Sequence, residues 1–251
     1  MKNILVPIGT REKGINNLTY AVNFASITQA RVYVTCINSD GTAEQVLRDV
    51  LEAVPVVKSV QVVSKVLSGD IFEGIQELSR TLKIDLIILS PKSIDISDKL
   101  YLGKVTGKIV KQNDIPLLIV PANFLFRKLD KVLMAFKNAN YKNDDNFLML
   151  EDFLNIFNSQ LHLLHVNTPD APEEAKVISK GLMGRSSSLT ESDNATVFQG
   201  ILEHYQHINP DMICLLRRRK QNIFEKIWQR NEIFKEEFHT TKPLLILKER
   251  E

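Results

Sequence analysis

"FEGIQELSRTLKIDLIILS" runs from Phe72 to Ser90, and "FQGILEHYQHINPDMICLL" runs from Phe198 to Leu216. Each stretch starts with apolar residues at helical spacing and reaches an Asp that opens a continuous apolar run. In both, the Asp comes 13 positions after the Phe, 72 to 85 and 198 to 211. An amphipathic helix feeding a short run of Ile and Leu is the pattern of a helix that returns the chain to a buried parallel strand. Finding it twice makes the internal repeat the first question about the fold.

Further landmarks appear on either side. "NILVPI" (Asn3 to Ile8) answers to "KVLMAF" (Lys131 to Phe136), and "RVYVTCI" (Arg31 to Ile37) to "QLHLLHV" (Gln160 to Val166). "IPLLIVP" (Ile115 to Pro121) answers to "KPLLILK" (Lys242 to Lys248). In chain order the offsets between copies are 128, 129, 126, 126 and 127 residues. Five landmarks in one order with so little drift indicate two homologous domains, residues 1–125 and 126–251.

In the first copy the pattern predicts strands at 3–8, 31–37, near 60–67, 85–89 and 116–120. Helices fall between them, from about Asn16 to Thr28, near 42–53, from about Asp70 to Leu82, and near 103–113. Buried strands separated by helices mean a parallel sheet covered on both faces. The expected fold is α/β: two tandem doubly wound, Rossmann-like domains, each with a five-stranded parallel sheet. In the second copy the third strand is poorly marked, and "GLMGRSSSLTESDNA" (Gly181 to Ala195) reads as a mobile loop.

Composition narrows the function classes. The chain of 251 residues is 44% hydrophobic and 25% charged, which fits a globular protein. Its net charge of +2 gives no global field toward nucleic acid or an anionic membrane. Cys36 and Cys214 lie in separate apolar runs without ligand spacing, so buried reduced thiols are expected. "MKNILVPIG" enters a strand directly and holds no stretch of signal-peptide or membrane-span length, so a cytoplasmic location is expected.

In open parallel sheets, ligands sit beyond the carboxyl ends of the strands where strand order reverses. After the first strand the chain reads "IGTREKG", and after the fourth it reads "SPKSIDISDKLYLGKVTGK" (Ser90 to Lys108). Together with "NILVPI", "NNLTYAVNFA", "RVYVTCI", "QLHLLHV", "DLIIL" and "LGKVTGKIVKQNDIPLLIVP", this layout resembles the universal stress protein family over nearly the whole chain, twice. The nucleotide-binding branch of that family has glycine, two residues, glycine, nine residues, then glycine and Ser or Thr after the fourth strand. Glycines permit close backbone approach, and the last opens a helix whose free amides face phosphates. On this chain those positions are Ser90, Ser93 and Gly103, with nine residues between the last two. Lys104 stands at the Ser/Thr position, followed by Val105 and Thr106. The family's strand-one Asp falls on Gly9, beside Thr10, and its adenine-side backbone position falls on Ile37.

The frame is therefore kept while half of its chemistry is changed. Serines bring side chains to positions where backbone should approach a phosphate, and the missing Asp removes an acceptor. In return Ser90, Ser93 and Thr106 are donors, and Lys92 and Lys104 are cations. In the second copy Gly200 is the last glycine, so nothing after the fourth strand makes a glycine cradle. Leu216, Arg219 and Arg230 fall near the three positions there.

Arg217, Arg218, Arg219 and Lys220 form a basic run without aromatic partners, which reads as a solvated loop. His204 and His207 have helical spacing but no third ligand nearby. His162 and His165 are three apart on a strand and so face opposite sides. Ser186 to Ser188 read as loop residues. No GxSxG, HExxH, P-loop or Cys–His arrangement nominates a catalytic centre.

The leading reading is a non-catalytic stress-response or regulatory module with a degenerate nucleotide site. The resemblance implies that its domains pack as a pseudo-dimer through the last strands, "PLLIVP" and "PLLILK". Protein partners and a homodimer stay open, and nucleic acid and membrane are not expected as partners. A second reading keeps ATP or another adenine nucleotide as the cofactor of the first domain, held by Gly9, Thr10, Ile37, Ser90, Ser93, Gly103, Lys104 and Thr106. A third assigns anion or nucleic-acid binding to the basic loop 217–220.

Overall fold

Asp85 and Asp211, the two landmarks that open an apolar run, play the same part in the structure. In the computed structural model the Asp85 carboxylate accepts the backbone N–H groups of Lys2 (2.6 Å) and Asn3 (2.9 Å). The Asp211 carboxylate accepts those of Asp130 and Lys131, both at 3.0 Å. Each Asp thus ties the start of its own strand to the start of the first strand of its copy. The structure describes residues 1–37, 41–92, 97–138, 140–141, 143–169, 178–217 and 232–249.

The chain forms two compact units, Met1–Phe126 with Arg230–Thr241, and Arg127–Gln229 with Lys242–Glu251. The first unit begins β1 (Asn3–Ile8), α1 (Arg11–Thr28), β2 (Arg31–Ile37), α2 (Ala43–Ala53) and β3 (Val62–Leu67). It continues α3 (Ile71–Thr81), β4 (Leu86–Leu89), β5 (Leu100–Leu102), α4 (Lys104–Gln112) and β6 (Leu117–Ile119). Its main sheet has the order β3-β2-β1-β4-β6 and is parallel throughout.

The second unit holds β7 (Lys131–Phe136), a 3-10 turn (Asp144–Phe147), α5 (Leu148–Phe157) and β8 (Gln160–Asn167). α6 (Lys180–Arg185), β9 (Ser188–Asp193), α7 (Val197–Ile208) and β10 (Met212–Arg217) follow. β11 (Ile233–Phe234) belongs to the first unit and β12 (Leu244–Lys248) to the second. The strand order β12-β10-β7-β8-β9 repeats that of the first unit, again parallel. Both units are doubly wound α/β folds.

The local chemistry of the repeat is also kept. α3 starts behind Asp70, whose side chain accepts from the amides of Phe72 and Glu73, and α7 starts behind Thr196, which accepts from Gln199. α1 and α5 end at Gln29 and Asn158, both left-handed, with φ of 57° and 51°. The glycine of "FQGI" is required by close approach: a Cβ on Gly200 would meet Val166 Cγ2 at 2.6 Å, where α7 lies on β8.

Three expectations are corrected. Gly181 to Ala195 is no loop, since α6 and β9 occupy most of it. β9 is the edge of its unit's sheet and most of its side chains are exposed, so "SLTESD" carries no apolar run to mark a strand. The first helix begins at Arg11 instead of about Asn16, because its exposed polar first turn is invisible to apolar periodicity. Finally, the division between units is not a single point near residue 125. A returning segment adds β11 antiparallel to β5, with Ile233 opposite Leu102, and sets Phe238 edge-on to Tyr101 at 5.8 Å.

Candidate functional site

The first unit's strand order reverses between β1 and β4, and a cleft of about 250 Å³ opens there. Pro7, Ile8, Thr35 and Leu89 supply its sheet side, and Gly9, Thr10, Lys13 and Asn17 the approach to α1. Ile71 and Ile75 of α3 and Val105, Thr106 and Ile109 of α4 form the apolar wall, with Ser90 at the end of β4. This is the place that the topology assigns to ligands.

Two helices start beside the loops after β1 and β4 with no side chain serving their first amides. Thr10 caps α1 in extended backbone without a side-chain hydrogen bond, and Gly103 stands in the same relation to α4. A Cβ on Gly9 would meet nothing within 4 Å. One on Gly103 would touch the aliphatic stem of Lys92 at 3.5 Å, an ordinary contact.

The polar groups of the cleft are mostly engaged with one another. The Ser90 hydroxyl, 9% exposed, donates to the buried Asn17 side-chain carbonyl at 2.6 Å. Lys13 Nζ donates to the carbonyls of Pro91 (3.1 Å) and Lys92 (2.6 Å), which pins the start of the loop after β4 to α1. Burial lowers the pKa of Lys13, with Lys92 acting in the same sense and the charges of Glu12 and Asp98 opposing it. Lys92 Nζ lies 3.7 Å from Asp98, which also caps the amide of Leu100 at 3.0 Å. That amide, followed by the charges of Lys92 and Lys235, holds the Asp98 carboxyl below its usual range against its own desolvation. Thr35 is the exception: it is 1% exposed, and its hydroxyl has no hydrogen-bond partner.

Of the residues expected at the site, Gly9, Thr10, Ser90 and Thr106 come together in the cleft. Gly103 and Lys104 lie at the start of α4, where Lys104 is exposed and neither lines the cavity. Ile37 ends β2 opposite Leu67, and its side chain lies outside the described residues. Ser93 lies outside the described residues, as do Arg218, Arg219, Lys220 and Arg230. The reading from sequence missed Lys13, Asn17 and Thr35. Thr35 carried a signal, being a lone hydroxyl inside the otherwise apolar run "VTCI".

In the second unit, His162 and His165 do face opposite sides. His162 Nδ1 is 2.7 Å from the Ser188 hydroxyl, whereas His165 is buried and its Nε2–H donates to the Lys137 carbonyl at 3.2 Å. The Ser186 hydroxyl donates to the Met183 carbonyl, and Ser188 lies in β9. Among the described residues no group of three His, Cys, Asp or Glu could hold a metal ion, and no helix is long and apolar enough to cross a membrane.

A family profile, that of the universal stress protein family, matches residues 1–121. Residues 1–121 form a universal stress protein domain. A universal stress protein from Archaeoglobus fulgidus DSM 4304 has the same fold, with 18% identity, a TM-score of 0.70, and 99% of this chain and 98% of that one covered. A functionally unknown protein from Pseudomonas aeruginosa PAO1 gives 16% identity and 0.68, over 99% and 93%. The cytoplasmic domain of a prokaryotic cation chloride cotransporter gives 8% and 0.52, over 98% and 95%. At these identities the likenesses establish the fold alone, and one fold hosts many functions. No curated protein matches the sequence.

Proposed function

We propose that the whole chain is a tandem, non-catalytic regulatory module of the universal stress protein family whose first-unit nucleotide site is degenerate. The observation that carries the reading is the hydrogen bond from Ser90 to Asn17. At the first position of the phosphate-loop pattern, where the family's nucleotide binders need bare backbone, a buried side chain is locked to α1. Lys13 reinforces it by turning toward the carbonyls of Pro91 and Lys92, so a loop that should offer amides is held through its oxygens. Among the described lining residues Lys13 is the one titratable side chain, which supports binding over acid–base chemistry. The proposal includes pairing of the two repeats through β6 and β12. It is supported by the place of each at the end of its own unit's strand order, since an apolar edge strand needs a cover.

Calorimetric titration of the whole chain with Mg-ATP tests the reading. A flat trace and an unmoved melting temperature at millimolar ATP are expected. The second reading, ATP held by the first unit, is favoured by one observation: Gly103 still opens α4 with an unserved first turn. Micromolar binding of one nucleotide per chain, lost in Gly103→Val, establishes that reading and removes the first.

A further inference from the structure

Buried hydroxyls are nearly always paired, so the lone Thr35 hydroxyl on the cleft floor requires a reason. At the mouth, Lys13 spends two of its three N–H groups on neutral carbonyls, and an anion there would relieve its burial. The first turn of the 18-residue α1 opens at the same end, with no Thr10 side-chain bond to satisfy it. Between mouth and floor, Ile71 and Ile75 of one helix and Val105 and Ile109 of the other make an apolar wall, beside Thr106 and the Ser90 and Asn17 side chains that bond each other. Its volume of about 250 Å³ lies below the ~300–1,000 Å³ of pockets that enclose drug-sized ligands.

We propose that the cleft binds a small amphiphilic carboxylic acid, with its carboxylate at Lys13 and the start of α1, its apolar body between α3 and α4, and a polar atom on the Thr35 hydroxyl. The proposal rests on the degenerate reading of the loop after β4 and names the ligand class that the altered site takes. Only one end of such a molecule is charged, which matches a site with one cation at its mouth and a buried, unpartnered neutral hydroxyl at its floor. About ten heavy atoms fit that space, and dissociation constants on the order of 0.1–1 mM are expected for a ligand of that size.

The test is a thermal-shift and calorimetric titration of the full chain with 4-hydroxybenzoate, benzoate and Mg-ATP, repeated on Thr35→Val and Lys13→Met. Unliganded melts of both variants show that they fold. The expected result is saturable binding of both acids, with 4-hydroxybenzoate several-fold tighter. Thr35→Val should bind the two acids equally, Lys13→Met should lose at least tenfold for both, and Mg-ATP should have no effect. If neither acid binds at 10 mM and Mg-ATP is also silent, the ligand assignment is overturned while the degenerate reading stands. If Mg-ATP binds at micromolar concentration and displaces the acids, both are overturned. Acid binding that ignores both substitutions removes this cleft as the site.

Discussion

The two repeats have the same topology and differ where the first and second strands end. In the first unit Pro7 lies beside Thr35, and β1 runs out into Gly9, which is exposed. In the second unit the matching pair is Ala135 and Leu164, and β7 runs out into Lys137, which is 7% exposed and whose carbonyl receives the His165 imidazole. His165 in turn stacks on Phe136 at 5.5 Å, in the place where the first unit has Cys36 beside Ile8. One copy keeps a hydroxyl on a cleft floor, and the other fills the same register with a buried leucine and an aromatic stack. The strand ends have diverged while the Asp clasps and helix ends have not, so the fold was held constant and the binding end was free to change.

The most severe way to test that equivalence is through the cores. Phe24 and Phe153 each precede the left-handed residue that ends their helix by five positions, and both are fully buried. Phe24 packs edge-on against Phe126 at 5.9 Å, and Phe153 lies 6.2 Å from Phe157. Truncating either to alanine should cost about 3–5 kcal/mol. Denaturant unfolding followed by hydrogen exchange checks this. Equal losses in the two units mean equivalent cores. A loss under 1 kcal/mol in one of them breaks the comparison at its base.

Much of this was legible in the sequence because burial and repetition leave a mark there. Asp85 and Asp211 could be aligned because each opens an apolar run, and the central strands could be placed because they are buried on both faces. The clasp itself was not legible, since the amides it binds lie 80 or more residues away. β9 escaped because an edge strand needs no apolar face. β5 and β11 escaped because two or three residues are too few to show a period. At the site, Gly9, Thr10, Ser90 and Thr106 were found by position in a loop pattern. Lys13 was missed because the first turn of α1 has no apolar signature, and Asn17 because a polar residue in an expected helix gives no sign that it is buried. Thr35 was visible as a residue, but no sequence rule says that its hydroxyl lacks a partner.

Exchanging the floor residues gives a smaller effect with opposite signs in the two copies. Thr35→Val keeps the shape and removes a hydroxyl that nothing satisfies, so the first unit should gain about 1 kcal/mol without ligand. Leu164→Thr brings such a hydroxyl into the second unit and opens a gap beside it, and should cost about 2–4 kcal/mol. Denaturant midpoints of the two single variants decide the matter. A Thr35→Val protein less stable than its parent means that the hydroxyl is satisfied and the cleft floor is ordinary core. The expected gain is instead the sign of a residue kept against stability for what it binds.

The smallest effect separates the copies by pH. His162 of β8 has its pKa lowered, first by burial and then by the nearby charge of Lys131. An imidazole with a folded pKa below its ordinary value of about 6.5 binds fewer protons folded than unfolded between those two values. Stability of the second unit should therefore rise with pH through that window, and fall as pH drops below about 6.5 until the folded value is passed. His162 is only half-buried, so solvent screening keeps the change small. Urea midpoints at pH 7.5 and 5.5 for the parent and for His162→Gln, which retains a partner for the Ser188 hydroxyl, isolate it from the other histidines. The parent should lose more on acidification than the variant, and the loss should appear in the second unit. Identical pH slopes would mean that the ring protonates as freely in the folded protein as in water. The difference between the copies would then lie at their strand ends, in the unpaired hydroxyl of Thr35 against the buried leucine at 164.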